Sequence, residues 1–198
     1  VQESPLGAYA VDYIKPSVSF VVSYHQADLQ IQYRRTREQI SSVVSATGTS
    51  AIRSELESAL EDFADECVLR ISYFAEDEDY VRALFQEAYY ATPGAALDMP
   101  ELSIAIYPDS GQQRIVEILL AYNLEPSELE RRKSLLAQRA GMLLQDVSPL
   151  LGDNRIAAAG RAVLASGGYD PKGGSTAYHA LLEGGADSEG LSLAMALL

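Results

Sequence analysis

Apolar and small polar residues alternate over residues 17–24, with Val18, Phe20, Val22 and Tyr24 on one side and Ser17, Ser19 and Ser23 on the other. A period of two in β-branched and aromatic residues predicts a half-buried strand. Residues 25–28 read as a turn. Leu29, Ile31 and Tyr33 then alternate with Gln30 and Gln32, so residues 17–35 form a predicted hairpin. Val18, Val22, His25, Leu29, Tyr33, Thr36, Ile40 and Val43 also fit helical spacings of three and four. The hairpin is preferred because its first segment is rich in residues that suit a pleated surface.

Farther on, Ile52, Leu56, Leu60 and Phe63 recur at helical spacing opposite Arg53, Glu55, Glu57, Glu61 and Asp62, which predicts an amphipathic helix. Residues 67–74 and 101–107 read as strands, with a helix carrying Val81, Leu84, Phe85 and Tyr89 between them. A helix is expected over residues 112–123 from Ile115, Ile118, Leu119 and Tyr122. Another starts at Pro126, where a missing N–H costs nothing. Shorter helices follow at 156–165, after Ser175 and over 189–198. The expected fold is α+β and helix-dominated: a small N-terminal antiparallel sheet, made of hairpin 17–35 and strands near 67–74 and 101–107, with a helical C-terminal half. An all-α fold is the alternative. In domain terms residues 1–16 read as an N-terminal arm, 17–111 as an α+β portion and 112–198 as a helical portion packed on it.

Charge narrows the functional classes. Fifteen basic and 28 acidic side chains in 198 residues leave a net charge of −13. Direct nucleic-acid binding depends on many Lys and Arg contacts to phosphate and is not expected; docking on an anionic membrane is disfavoured for the same reason. Ten of the acids, with only Arg70 as a base, lie within residues 55–79, which reads as a solvated helix face. No uncharged run approaches the 18 residues of a transmembrane helix. Residues 1–16 lack the basic and continuous apolar segments of a signal peptide. The single cysteine, Cys67, permits no internal disulfide. A cytoplasmic or other soluble reducing compartment is the expectation that follows.

Catalytic and metal-binding constellations are weak. Asp65 and Glu66 precede Cys67 at the end of a predicted helix, which disfavours a thiolate and points to a buried structural thiol. The two histidines, His25 and His179, stand 154 positions apart, with no Gly-x-Ser-x-Gly elbow in the chain and no carboxylate at ligand spacing. Counting a calcium loop from Asp77 puts Arg82 at the sixth position and Ala88 at the twelfth, so the pattern fails. Residues 167–176 combine glycines, Lys172, Ser175 and Thr176, but not in phosphate-loop order, and read as a connector between helices. No cofactor, metal or catalytic residue is assigned.

What remains are contact residues. Twelve tyrosines without a tryptophan include Tyr9 and Tyr13 in the expected arm, and tyrosine favours interfaces. Arg34, Arg35 and Arg37 form the one compact basic cluster, suited to the acidic stretch of a neighbouring copy. Leu197 and Leu198 complete an uncharged apolar end that packs on its own body or on a partner. The expected function is a non-enzymatic structural or assembly subunit acting through a protein partner or self-association. A small-ligand-binding or sensory module and an enzyme using carboxylate, Tyr and Arg chemistry are the alternatives.

Overall fold

The computed structural model describes residues 3–198. Val1 and Gln2 of the expected arm lie outside them. Among the described residues the fold is α+β, with eight helices (46% helical) and 28% strand, so the all-α alternative does not hold. Helix α1 (Pro5–Ala10) opens on Ser4, whose hydroxyl accepts the Gly7 N–H, and on Pro5 in the first turn. It runs directly into β1 (Val11–Val21), which pairs with β2 (Tyr24–Tyr33) as a separate two-stranded ribbon. The hairpin is therefore longer than expected: the second half of the arm is strand. Its turn is Val22–Ser23, not residues 25–28.

The main sheet has four strands in the order β3 (Val44–Ala46), β4 (Glu66–Ser72), β6 (Gln113–Ala121), β5 (Glu101–Tyr107). Pairing is parallel between β3 and β4 and antiparallel across the rest. The helix expected over 112–123 is instead β6. As an inner strand it is covered on both faces, so Ile115, Val116, Glu117 and Ile118 are buried in succession and no alternation survives to mark it.

One face of this sheet carries Leu69, Ile71, Val116 and Ile118 into the large core, where α3 (Gly48–Glu61) packs through Ile52, Leu56 and Leu60. Helix α4 (Glu78–Ala91) packs beside it through Val81, Leu84, Phe85 and Tyr89, and its Asp77 cap accepts the Tyr80 N–H at 3.1 Å. The opposite face presents Val68 and Ile115 to a smaller cluster closed by Tyr9 and Ala10 of α1. Between ribbon and sheet, α2 (Arg37–Ser41) starts with a reciprocal capping box between Thr36 and Gln39. The C-terminal part holds α5 (Pro126–Val147), α6 (Asp153–Ser166), β7 (Tyr169–Gly174), α7 (Ala177–Leu182) and α8 (Ser188–Leu197). The expected connector at 167–176 is partly β7, bridged to Ala186. There the chains meet so closely that a Cβ on Gly167 would lie 2.1 Å from the Gly184 carbonyl carbon.

Candidate functional site

Ten cross-strand pairs join β1 to β2. Directly opposed residues share a face, so the register sorts the ribbon. Ile14 with Ile31, Pro16 with Leu29, Val18 with Ala27, and Phe20 with His25 lie on one face, continued at the base by Val11 with Tyr33. The Phe20 and His25 rings touch edge to face at 5.2 Å. The other face pairs Lys15 with Gln30, Ser17 with Asp28 and Ser19 with Gln26, flanked by Tyr13 with Gln32 at the base and Val21 with Tyr24 at the tip. The ribbon is amphipathic, yet its apolar face is uncovered: Val18 is 68% exposed, Phe20 66% and Leu29 64%. At the tip Val22, 90% exposed, holds φ of 55°. A β-branched residue rarely adopts that conformation, and Gly or Asn would carry it with less strain.

The base of the ribbon is fixed to the body by polar contacts. The Arg34 N–H donates to the Ala10 carbonyl at 2.9 Å, and its guanidinium donates to the Val11 carbonyl at 2.8 Å. Arg35 reaches across to β6 and pairs with Glu117 at 2.6 Å; that carboxylate is nearly buried and also accepts from the Tyr107 hydroxyl at 3.2 Å. The same guanidinium lies 5.0 Å from the centre of the Tyr9 ring, which meets Tyr107 edge to face. Glu66 on β4 lies close enough to feel this cluster. Burial first, and the Glu117 charge second, push its carboxyl up from the ordinary value, against a smaller lowering by Arg35. Burial, followed by the Glu66 and Glu117 charges, likewise raises the Tyr9 phenol. Tyr107 is raised by burial and then by Glu117. The Tyr9 hydroxyl, Arg35 Nε and one Glu66 oxygen are buried without a hydrogen-bond partner. Beside the anchor, a cleft of about 570 Å³ is lined by Leu6, Val11, Tyr33, Arg35, Arg37 and Ile40 among others.

Of the residues singled out in the sequence, Tyr9, Arg34, Arg35 and Arg37 gather at this base. Tyr9 is fully buried there. Arg35 finds its acid, Glu117, within its own chain. Tyr13 sits on the ribbon's polar face, opposite Gln32 and 43% exposed. Leu197 and Leu198 do not join this group: Leu197 borders a second cleft beside Lys133 and Leu136, and Leu198 is buried in the main core. Sequence reasoning missed the role of Glu117 and Tyr107, because nothing local pairs residue 35 with residue 117. It also took the ribbon face for half-buried, since alternation marks a face but not what covers it.

The reactive side chains sit in structural settings. Burial, with Glu55 and Glu66 nearby, pushes the Cys67 thiol up to about 12, so it is neutral at physiological pH. Thr176 Oγ1 lies 2.7 Å from His179 Nδ1, and His179 Nε2 lies 3.6 Å from Glu183, an order that imitates a catalytic triad. The hydroxyl is the buried N-cap of α7 and accepts the His179 N–H, so no substrate reaches it. Among the described residues no three His, Cys, Asp or Glu side chains converge as metal ligands, and no helix is long and apolar enough to cross a membrane. Comparison with models of known families, with curated proteins and with solved structures found no match.

Proposed function

We propose that this chain is a non-enzymatic assembly subunit whose hairpin presents its apolar face to a protein partner. The observation that carries the reading is a ribbon with an apolar face, free of Asp, Glu, Lys and Arg, turned to solvent. An isolated two-stranded hairpin is marginal in water and gains independent stability from a further layer. Here the body supplies that layer only at the base. Exposed apolar surface of this extent marks an interaction site in a soluble protein. A net charge of −13 favours a protein over an anionic lipid surface as the covering layer.

The polar cluster fits this reading as the ribbon's anchor. The charge of Arg35 is matched by Glu117, which is 4% exposed, and this pair ties the base of the ribbon to β6. Its consequence is mechanical: a buried, bidirectionally bonded ion pair sets the direction in which the ribbon leaves the body.

Photo-crosslinking in the cells that make the protein tests the proposal. A photoreactive amino acid at Val18 or Leu29 is expected to give a discrete adduct, and one at Ser17 or Gln30 on the polar face is not. Equal labelling from both faces, or none from either, would overturn it.

A further inference from the structure

We infer that the layer covering the ribbon is a second copy of this chain, its hairpin stacked antiparallel so that each tip lies over the base of the other. This rests on the assembly reading above and names its partner.

The first argument is geometric. Ten paired residues at about 3.3 Å each make a ribbon roughly 33 Å long. Its midpoint is the pair Pro16 and Leu29. A two-fold axis through that point places Phe20 of one copy, four residues toward the tip, over the Val11 and Tyr33 pair of the other, four residues toward the base. The outermost residue, Val22, then reaches the cleft beside that pair, whose lining includes Leu6 and Ile40. An isologous contact of this kind needs one surface that complements itself, and this face has a projecting apolar tip and, one ribbon length away, a recess whose apolar wall of Leu6, Val11 and Ile40 is rimmed by Arg35 and Arg37. The positive φ of Val22 agrees with it: a bulky apolar residue is held in strain at a position where the chain's own body gains nothing from it.

The second argument is area. A covered aromatic side chain buries about 150–250 Å². At their exposures Phe20 and Tyr33 each leave roughly 100 Å² to be covered, and the aliphatic groups somewhat less. The face therefore offers about 500–600 Å² per copy, or about 1,000–1,200 Å² in the pair, which is the lower bound for a specific interface.

Charge is the third. The stacked faces carry no Asp, Glu, Lys or Arg and His25 as their one ionisable group, and the antiparallel arrangement puts the two acidic bodies at opposite ends of the ribbons. That separation of roughly 33 Å is about four Debye lengths at physiological salt, so the bodies scarcely repel. Pro16 cannot donate a hydrogen bond to a strand added along β1, which disfavours pairing at that edge and leaves the apolar face as the larger surface to cover.

Two measurements on the full chain test this. Sedimentation from about 1 to about 300 µM is expected to show a monomer–dimer equilibrium with a dissociation constant on the order of 10 µM. Phe20→Ser should weaken it at least tenfold, and Gln30→Glu on the polar face should not. In a Cys67→Ala background, Leu29→Cys lies on the two-fold axis and should form a disulfide-linked dimer on mild oxidation, whereas Ser17→Cys should not. A monomer throughout the concentration range, or equal crosslinking from both cysteine positions, overturns the second copy as occupant. If Val18 and Leu29 still give an adduct with a different protein in cells, the assembly reading stands and only this inference fails. If they give none, both fail.

Discussion

Replacing Arg35 with Leu removes the positive half of the pair that anchors the ribbon. Its partner Glu117 keeps only 6% of its side-chain surface in water, while Arg35 itself keeps 23%. Breaking a buried pair by deleting one partner costs about 3–5 kcal/mol, because the other charge is left without compensation. The partial exposure of Arg35 lowers this to about 2–4 kcal/mol. Loss of the guanidinium over the Tyr9 ring adds roughly 0.5–1 kcal/mol. Urea unfolding followed by circular dichroism reads the sum, at neutral pH and again near pH 5. Without Arg35, Glu66 loses the lowering that the guanidinium exerts and faces burial and the Glu117 charge alone, so its protonation relieves the strain and the deficit shrinks as the pH falls. The parent chain has a slope of the same sign from Glu66. Its carboxyl is raised in the folded state, so its contribution is fully present below its unfolded value and is lost as pH rises through the folded one. The deficit is therefore the difference from the parent at each pH. The double variant Arg35→Met with Glu117→Leu should recover most of the loss, since well-packed apolar residues replace such pairs at little cost. A single variant within about 0.5 kcal/mol of the parent, or a deficit independent of pH, would refute the anchor.

Other sites give sharper local tests. Cys67 should resist thiol reagents in the native protein at neutral pH and react on unfolding; stability should also fall as pH rises from about 9 toward 12, where the unfolded thiol ionises before the folded one. Gly141 lies inside α5 with nothing within 4 Å of an added Cβ, so Gly141→Ala should stabilise by about 0.5–1 kcal/mol in urea unfolding. Gly167→Ala would set a Cβ 2.1 Å from the Gly184 backbone and should lower the melting temperature by several degrees, about 1–3 kcal/mol.

Elements with one wet and one dry face were legible in the sequence. Helices α3 and α4 carry their apolar stripes at the expected positions, and β4 and β5 fall within a residue or two of the predicted strands. Strand β6 was not legible, because a strand covered on both sides loses its alternation and its apolar residues also fit a helix. The hairpin was recognised, but its turn was displaced: Val22 and Ser23 lack the Gly or Asn that marks a two-residue turn. That displacement grouped Val22 and Tyr24 with Val18 and Phe20, whereas Tyr24 pairs with Val21 on the other face. Arg35 stood out as part of a basic cluster, but its partner lies 82 positions away and only the folded chain supplies it.

The claim that the ribbon's apolar face serves a partner and not the chain's own core is tested most directly by the triple variant Val18→Ser, Phe20→Ser, Leu29→Ser. Its unfolding free energy in urea is measured at about 1 µM or below, where the parent is monomeric. Three such truncations inside a core would cost about 2–5 kcal/mol each. On the exposed face they are expected to change stability by about 1 kcal/mol or less in total, with the slope of the transition unchanged. A loss of several kcal/mol would show that these side chains are packed within the isolated chain and would contradict the account.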